Sequence, residues 1–309
     1  MKIAFLGTPA FALPSLQMLI DEGHMLVVFT QPDKPQGRHA RLVPPPVKTL
    51  ALEHGIPVCQ PARIRGEDGL RALKDFAPAL MVTAAFGQIL SAENLAVPQY
   101  GCINVHGSLL PRYRGAAPIQ WSVINGDKTT GITTMLTEVG LDTGDILYAR
   151  KIEILPDETA GELYERMAVL GAEVLKDTIA ALTNGTLMRT KQNDIEATKC
   201  GMLKKEDGKL SFANSAQSIH DRVRGTNPWP GAYALLADEP LKIWRTRKTD
   251  EPLPDTAAPG LCFGDAKRGL FVCCADAPLE IIELQARGGK RMAASAYLCG
   301  RTLAGEVLQ

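Results

Sequence analysis

A mostly parallel, doubly wound α/β sheet followed by a small β-barrel or sandwich is the fold class this chain predicts. Three observations carry that expectation. Over the first part of the chain, short apolar runs alternate with amphipathic stretches of helical spacing, the pattern of βαβ units. Near the end of the chain the pattern changes to short β-like runs separated by Pro and Gly turn signals. The length of 309 residues exceeds what a single core usually holds, so two domains are expected.

Taken in order, residues 3–6, 25–30, 57–60, 79–85 and 102–106 read as strands, and 14–22, 47–54 and 67–76 as the helices between them. Pro46 suits a first helical turn, where its missing N–H has no partner to lose. Residues 130–136 and 146–154 form later strands joined by a glycine-punctuated loop, and 162–182 is a long amphipathic helix that closes a first domain, 1–185. The stretch 186–208 has weak periodicity and the basic cluster Lys199, Lys204 and Lys205, and reads as a linker. In the second domain, 209–309, a helix is expected at 215–224, turns at Asn227-Pro228-Trp229-Pro230-Gly231, and strands at 232–236, 241–244, 260–263, 270–274 and 279–284.

Composition excludes several classes. With 45% apolar and 22% charged residues, and 34 Lys+Arg against 34 Asp+Glu, no global charge advertises an acidic partner, so any nucleic-acid contact must be local. The seven cysteines are scattered with no CxxC pair, which argues against a disulfide framework and against a zinc site. The apolar start is broken by Gly7 and Pro9, too short for a signal peptide, and no run of about 18 apolar residues would span a bilayer. A soluble, cytoplasmic protein is expected. The glycine fingerprint GxGxxG is absent, as are GxxxxGK[ST], HExxH and GxSxG, which disfavours nicotinamide enzymes, phosphate-loop NTPases, zincins and serine hydrolases.

The most informative stretch is Gly101-Cys102-Ile103-Asn104-Val105-His106-Gly107-Ser108-Leu109-Leu110-Pro111-Arg112-Tyr113-Arg114-Gly115-Ala116-Ala117-Pro118, followed by Gly140-Leu141-Asp142-Thr143-Gly144-Asp145. Asn104 and His106 are two apart on a strand, so they share a face while Ile103 and Val105 take the other. An amide donor beside an imidazole suits charge growing on a carbonyl oxygen, and Asp142 could sustain a protonated imidazole or accept a proton. A histidine at a strand end also serves as a plain structural hydrogen-bonder, and either carboxylate of the later loop could cap a turn. The loop 31–48 carries Lys34, Arg38, His39, Arg41 and Lys48 with only Asp33 as an acid, and Lys242, Arg245, Arg247 and Lys248 flank Trp244. Each is a solvated surface or a phosphate-contacting face.

These residues resemble the formyltransferase family that uses 10-formyltetrahydrofolate. The resemblance runs nearly the whole length and rests on Phe5-Leu6-Gly7-Thr8-Pro9, Gln31-Pro32-Asp33 with Gly37-Arg38, Pro46-Val47-Lys48, Ala85-Phe86-Gly87-Gln88-Ile89-Leu90, the two segments just quoted, and Asn227-Pro228-Trp229-Pro230-Gly231. It implies a Rossmann-like first domain and an OB-like β-barrel second domain. It implies Asn104, His106 and Asp142 as the catalytic trio. Ser108, Leu109, Leu110 and Pro111 would line the folate site, with Phe86, Ile89, Leu90, Val139, Gly140 and Leu141 enclosing the pterin. The basic loop and the added C-terminal domain favour the branch acting on tRNA. The implied reaction moves a formyl group to the α-amino group of methionine on initiator Met-tRNA, with Arg38, Arg41, Lys204 and Lys205 meeting the acceptor stem. The basic loop departs from its relatives, reading Arg38-His39-Ala40-Arg41-Leu42 where they are often denser in Lys and Gly. No metal is expected, and a monomer is. The alternatives are a formyltransferase acting on an amino sugar nucleotide or other small amine, and a non-catalytic tRNA- or single-strand-binding protein built on a retired enzyme domain.

Overall fold

The computed structural model describes residues 1–36 and 40–309. They fall into two compact units, one made of 1–115, 130–152 and 164–199 and the other of 116–129, 153–163 and 200–309. The units do not follow the chain linearly, because two short stretches of the first half fold with the second unit.

The first unit holds the strands β1 (Lys2–Gly7), β2 (Met25–Phe29), β3 (Lys34–Gln36), β4 (Arg41–Val43), β5 (Val58–Cys59), β6 (Leu80–Ala84), β7 (Cys102–His106), β8 (Arg114–Gly115), β9 (Thr129–Leu136) and β10 (Ile146–Glu153). Its helices are α1 (Leu13–Asp21), α2 (Pro46–Glu53), α3 (Glu67–Phe76) and α4 (Ala92–Leu95). Seven strands form one sheet in the order β10-β9-β7-β6-β1-β2-β5. The pairs β5-β2, β2-β1, β1-β6 and β6-β7 are parallel, and β9 joins β7 antiparallel. The expected mostly parallel sheet is therefore present, with a mixed edge. From β1 the chain goes to β2 and β5 on one side and returns to β6 and β7 on the other, the order reversal that opens a crevice at the carboxyl ends of strands. Ile3, Ala4, Phe5 and Leu6 of β1 are fully buried, which is why this strand reads as a continuous apolar run rather than an alternating one. Helix boundaries came within two residues of the periodicity. The loop 31–48 contains a small antiparallel β3-β4 pair that its Pro-rich sequence did not reveal.

The second unit contains α5 (Pro118–Ile124), the first turn of α6 (Ala160–Thr183), whose residues 164–183 belong to the first unit, Cys200 of β11 (Lys199–Cys200), α7 (Ala216–Gly225), β12 (Ala232–Leu236), β13 (Glu239–Lys248), β14 (Cys262–Asp265), β15 (Gly269–Cys273), β16 (Pro278–Ala286), β17 (Met292–Ala293) and α8 (Ala294–Tyr297). Its sheet runs β12-β13-β16-β15-β14, with β17 on β16. Ala216, Ile219 and Val223 of α7 share a core with Leu241, Ile243, Leu270, Val272, Leu279 and Ile281 of these strands. The OB-like barrel expected from the resemblance is not closed. No ladder joins β12 to β14. Residues 305–309 span that gap instead, bonding to Gly260 and Cys262 around an antiparallel bridge from Val307 to Leu261 on one side and exchanging a pair of backbone bonds between Gln309 and Leu235 on the other, so short isolated bridges stand where a strand ladder would close the barrel. The seven residues of α5 were not foreseen, being too few to display a helical period.

Candidate active site

The site grows from the carboxyl end of β7. Asn104 and His106 share a face as the alternation requires, His106 buried and Asn104 half-buried. Thr83, on the neighbouring β6, donates its hydroxyl to Asn104 Oδ1 at 2.8 Å. This fixes the amide so that its nitrogen points away, ready to donate. His106 Nε2 lies 3.0 Å from the Tyr113 carbonyl, and a carbonyl only accepts, so Nε2 carries the proton and Nδ1 is left facing Asp142. The Nδ1 to Asp142 Oδ2 distance is 3.7 Å, with the two side chains 6% and 15% exposed. At this distance there is no hydrogen bond, since an unprotonated Nδ1 and a carboxylate oxygen both only accept, but the separation is within ion-pair range once Nδ1 carries a proton.

How Asp142 arrives there is decided by tertiary structure. β9 runs antiparallel to β7 with Leu136 opposite Ile103, so the β9-β10 turn starts three residues below His106. At about 3.3 Å per residue the turn must climb roughly 10 Å to bring Asp142 level with the imidazole. Gly144 allows it to double back, since a side chain there would collide with the Leu136 carbonyl. Asp142 itself sits at φ 53°, a left-handed conformation that Asp tolerates better than most residues. Two contacts hold the climb. Gly115 donates its N–H to Asp142 Oδ2 at 2.8 Å, and Gln192 donates its amide to the carbonyls of Asp142 (2.9 Å) and Gly144 (2.7 Å).

The loop 107–113 is built from within. Ser108 is fully buried with its hydroxyl donated to the Arg112 carbonyl at 2.6 Å, so it shapes the loop and offers no hydroxyl outward. Thr133 donates to the Ser108 carbonyl (2.7 Å) and accepts from the Leu110 N–H (3.1 Å). Leu110 is buried, Leu109 and Pro111 are half-buried, and Leu109 lies so close to β9 that a side chain at Gly131 would strike it. Phe86 is a core residue packed with Leu6, Phe29 and Met81, and Leu90 leans on the same cluster. By contrast Ile89 (74%), Val139 (78%) and Leu141 (61%) are exposed apolar side chains, and Gly140 beside them is exposed too. Large exposed hydrophobics in loops of this kind fit the flat, apolar face of an aromatic ligand. Cys102, at the start of β7, is no nucleophile, because burial pushes its thiol up to about 12.

Of the basic residues, Arg38 lies outside the described residues. Arg41, Lys204 and Lys205 are exposed. Lys48 is paired with Asp33 at 2.8 Å, with Gln60 on the same carboxylate, which subtracts it from the basic excess of its loop. Sequence reading quoted Tyr113, Arg114 and Gly115 within the central motif without giving them a role, and did not single out Thr83, Thr133 or Gln192; each acts through a backbone atom or a distant neighbour.

A doubly wound sheet whose strand end gathers an amide, an imidazole and a carboxylate is the equipment of an enzyme acting on a carbonyl carbon. The chain belongs to the formyl transferase family: residues 1–179 match the formyl transferase model and residues 202–302 match the formyl transferase C-terminal domain. A methionyl-tRNA formyltransferase of Ruminiclostridium cellulolyticum is 50% identical over 304 residues, covering 98% of this chain and 97% of the relative. Among solved structures, WlaRD, a sugar 3N-formyl transferase in the presence of dTDP and 5-N-formyl-THF, has a TM-score of 0.68 at 19% identity, covering 93% of this chain and 97% of that one. An N-formyltransferase from Helicobacter canadensis in complex with folinic acid and dTDP-3-aminofucose also has a TM-score of 0.68, at 17% identity over 94% of this chain and 100% of that one. Both of the latter share the fold.

Proposed function

We propose that this protein transfers the formyl group of 10-formyltetrahydrofolate to the α-amino group of methionine on initiator Met-tRNA, yielding formylmethionyl-tRNA for translation initiation. The observation that carries this is the 50% identity, over nearly the full length of both chains, to a methionyl-tRNA formyltransferase. In this reading residues 1–185 are the catalytic domain, 186–208 the linker and 209–309 the tRNA-binding domain.

The folate supplies a formyl carbon open to attack by an amine. Esterification lowers the methionine amine below the roughly 7.7 to 8.0 of a free terminus, so a neutral nucleophile is present near pH 7. Asn104, its oxygen held by Thr83, donates its amide to the formyl oxygen. His106, protonated on Nδ1 and anchored through Nε2, sets positive charge beside the oxygen as its charge grows. Asp142, opposite Nδ1, stabilises that imidazolium and takes the proton lost by the amine, directly or through water; as the new amide forms, the formyl carbon's bond to the folate nitrogen breaks, and that nitrogen takes up the proton and leaves as tetrahydrofolate. Ile89, Val139 and Leu141 present apolar surface for the pterin, with the loop 108–111 shaping the adjoining wall. Arg38, Arg41, Lys204 and Lys205 meet the acceptor stem. Its substrates put the enzyme in the cytoplasm, where it acts as a monomer.

The test offers the protein 10-formyltetrahydrofolate with charged initiator Met-tRNA, an amino sugar nucleotide and a panel of small amines in parallel. Formylation of Met-tRNA is expected. Transfer only to the sugar nucleotide or small amines would refute the reading. Arg38→Ala should raise KM for charged tRNA and leave that for folate unchanged, and an unaltered tRNA dependence would remove Arg38 from the interface.

A further inference from the structure

Residues 190–198 lie between the two matched family segments and read in the sequence as part of a linker. In the structure they hold the loops on both sides of His106. Thr190 exchanges backbone hydrogen bonds with Ile146, at the end of the turn that carries Asp142. Thr198 accepts the Tyr113 N–H on its hydroxyl at 2.8 Å and the Arg114 N–H on its carbonyl, steadying the segment whose Tyr113 carbonyl holds His106 Nε2. Between them, Gln192 bonds to both sides. Its oxygen accepts from Arg114 Nε and Nη2 at 3.0 and 2.9 Å, and its amide nitrogen donates to the carbonyls of Asp142 and Gly144. Arg114 is buried and has a further partner in Asp194 at 2.7 Å, so the acceptor side of Gln192 is fixed in place.

We infer that Gln192 is a positioning residue for the reaction, acting through Asp142: it pins the raised part of the β9-β10 turn so that the carboxylate stays opposite His106 Nδ1. This rests on the catalytic reading of Asp142 given above. Among the described bonds of that turn, the only side-chain donor to its Asp142 and Gly144 carbonyls is the Gln192 amide. Glutamate at this position would keep an oxygen for Arg114 but place a second oxygen against two carbonyls, releasing the turn without opening a cavity. Displacing a reacting group by about 1 Å commonly costs on the order of 10²-fold in rate.

Single-turnover formyl transfer to charged tRNA would be measured for the parent, Gln192→Glu, Asp142→Asn and the double variant, with KM for both substrates and thermal unfolding midpoints. The expected result is a turnover loss of about 10-fold for Gln192→Glu, no larger than that of Asp142→Asn because the effect runs through that carboxylate, both KM values within about threefold of the parent, and an additional loss of less than about twofold when Gln192→Glu is added to Asp142→Asn. A positional role in the general fold would instead multiply the two losses and lower the unfolding midpoint in step, and either outcome overturns the inference. So does a Gln192→Glu variant with parental turnover where Asp142→Asn is slow. Should Asp142→Asn itself turn over like the parent, the catalytic reading of Asp142 fails first. Gln192→Ala serves as a second variant, expected to lose turnover by the same route and equally masked by Asp142→Asn.

Discussion

Replacing Asp142 by Asn probes the electrostatics of the site with little change of shape. Asn keeps an oxygen for the Gly115 N–H, so the anchoring bond of 2.8 Å has a replacement acceptor and the turn should stay in place. What disappears is the negative charge 3.7 Å from His106 Nδ1. Two unit charges at that separation attract by about 4.5 kcal/mol at an effective dielectric near 20. Desolvation of the pair and the residual dipole of Asn offset part of this, and if about half survives, roughly 2 kcal/mol of stabilisation of the imidazolium is lost. At about 1.4 kcal/mol per tenfold this is on the order of a 30-fold fall in single-turnover rate, larger if Asp142 also accepts the amine's proton. The assay is rapid-quench formylation at saturating folate and charged tRNA, with circular dichroism to verify that the variant is folded. A folded Asp142→Asn enzyme running within threefold of the parent would show that the imidazole works without the carboxylate and would refute the ion-pair account.

His106→Ala should lower turnover by about 10²–10³, measured in the same assay, since it removes the positive charge beside the formyl oxygen. Thr133→Val, nearly isosteric, strands the Ser108 carbonyl and the Leu110 N–H inside the protein and should cost about 2 kcal/mol in urea unfolding; a change below about 0.5 kcal/mol would contradict the bonding scheme. His220 is buried against Thr246 and the Pro156 carbonyl, and burial holds its pKa below the ordinary value of 6.5, so the unfolded chain takes up a proton that the folded one refuses. Stability should therefore fall as pH drops from about 6.5 toward the folded value, and thermal melts of His220→Gln should show a shallower fall over that window. Burial pushes Cys102, Cys262 and Cys274 up to about 12, whereas Cys299 is exposed; alkylation of the native protein followed by peptide mapping should find Cys299 modified first, and early labelling of Cys102 would contradict the packing of β7.

Much of the fold was legible because it depends on local periodicity. The 67–76 helix pattern coincides with α3, and the strands of the first sheet lie where apolar runs end in Gly or Pro. Elements shorter than a few turns were hidden: α5, the β3-β4 pair and the β8-β11 pairing owe their existence to distant partners rather than to a repeating pattern. Strand spacing left barrel or sandwich open for the second sheet, because it counts strands without saying whether the first and last pair; the OB-like barrel came from the resemblance.

The sequence by itself determined which chemistry is possible. Period-two alternation puts Asn104 and His106 on one face of β7 wherever that strand lies, and the choice of an amide and an imidazole is a local fact. Only the tertiary structure decided that Asp142 belongs with them, because 35 residues of chain separate it from His106 and the turn that carries it leaves β9 below the site and must climb to reach it. It also decided the roles of Phe86, which is core, and Ser108, which faces inward, and it drew Thr83, Tyr113, Thr133 and Gln192 into the site. The physical reason is that backbone periodicity orients a side chain relative to its own strand, whereas hydrogen bonds to carbonyls and the depth of burial depend on which distant segment arrives beside it.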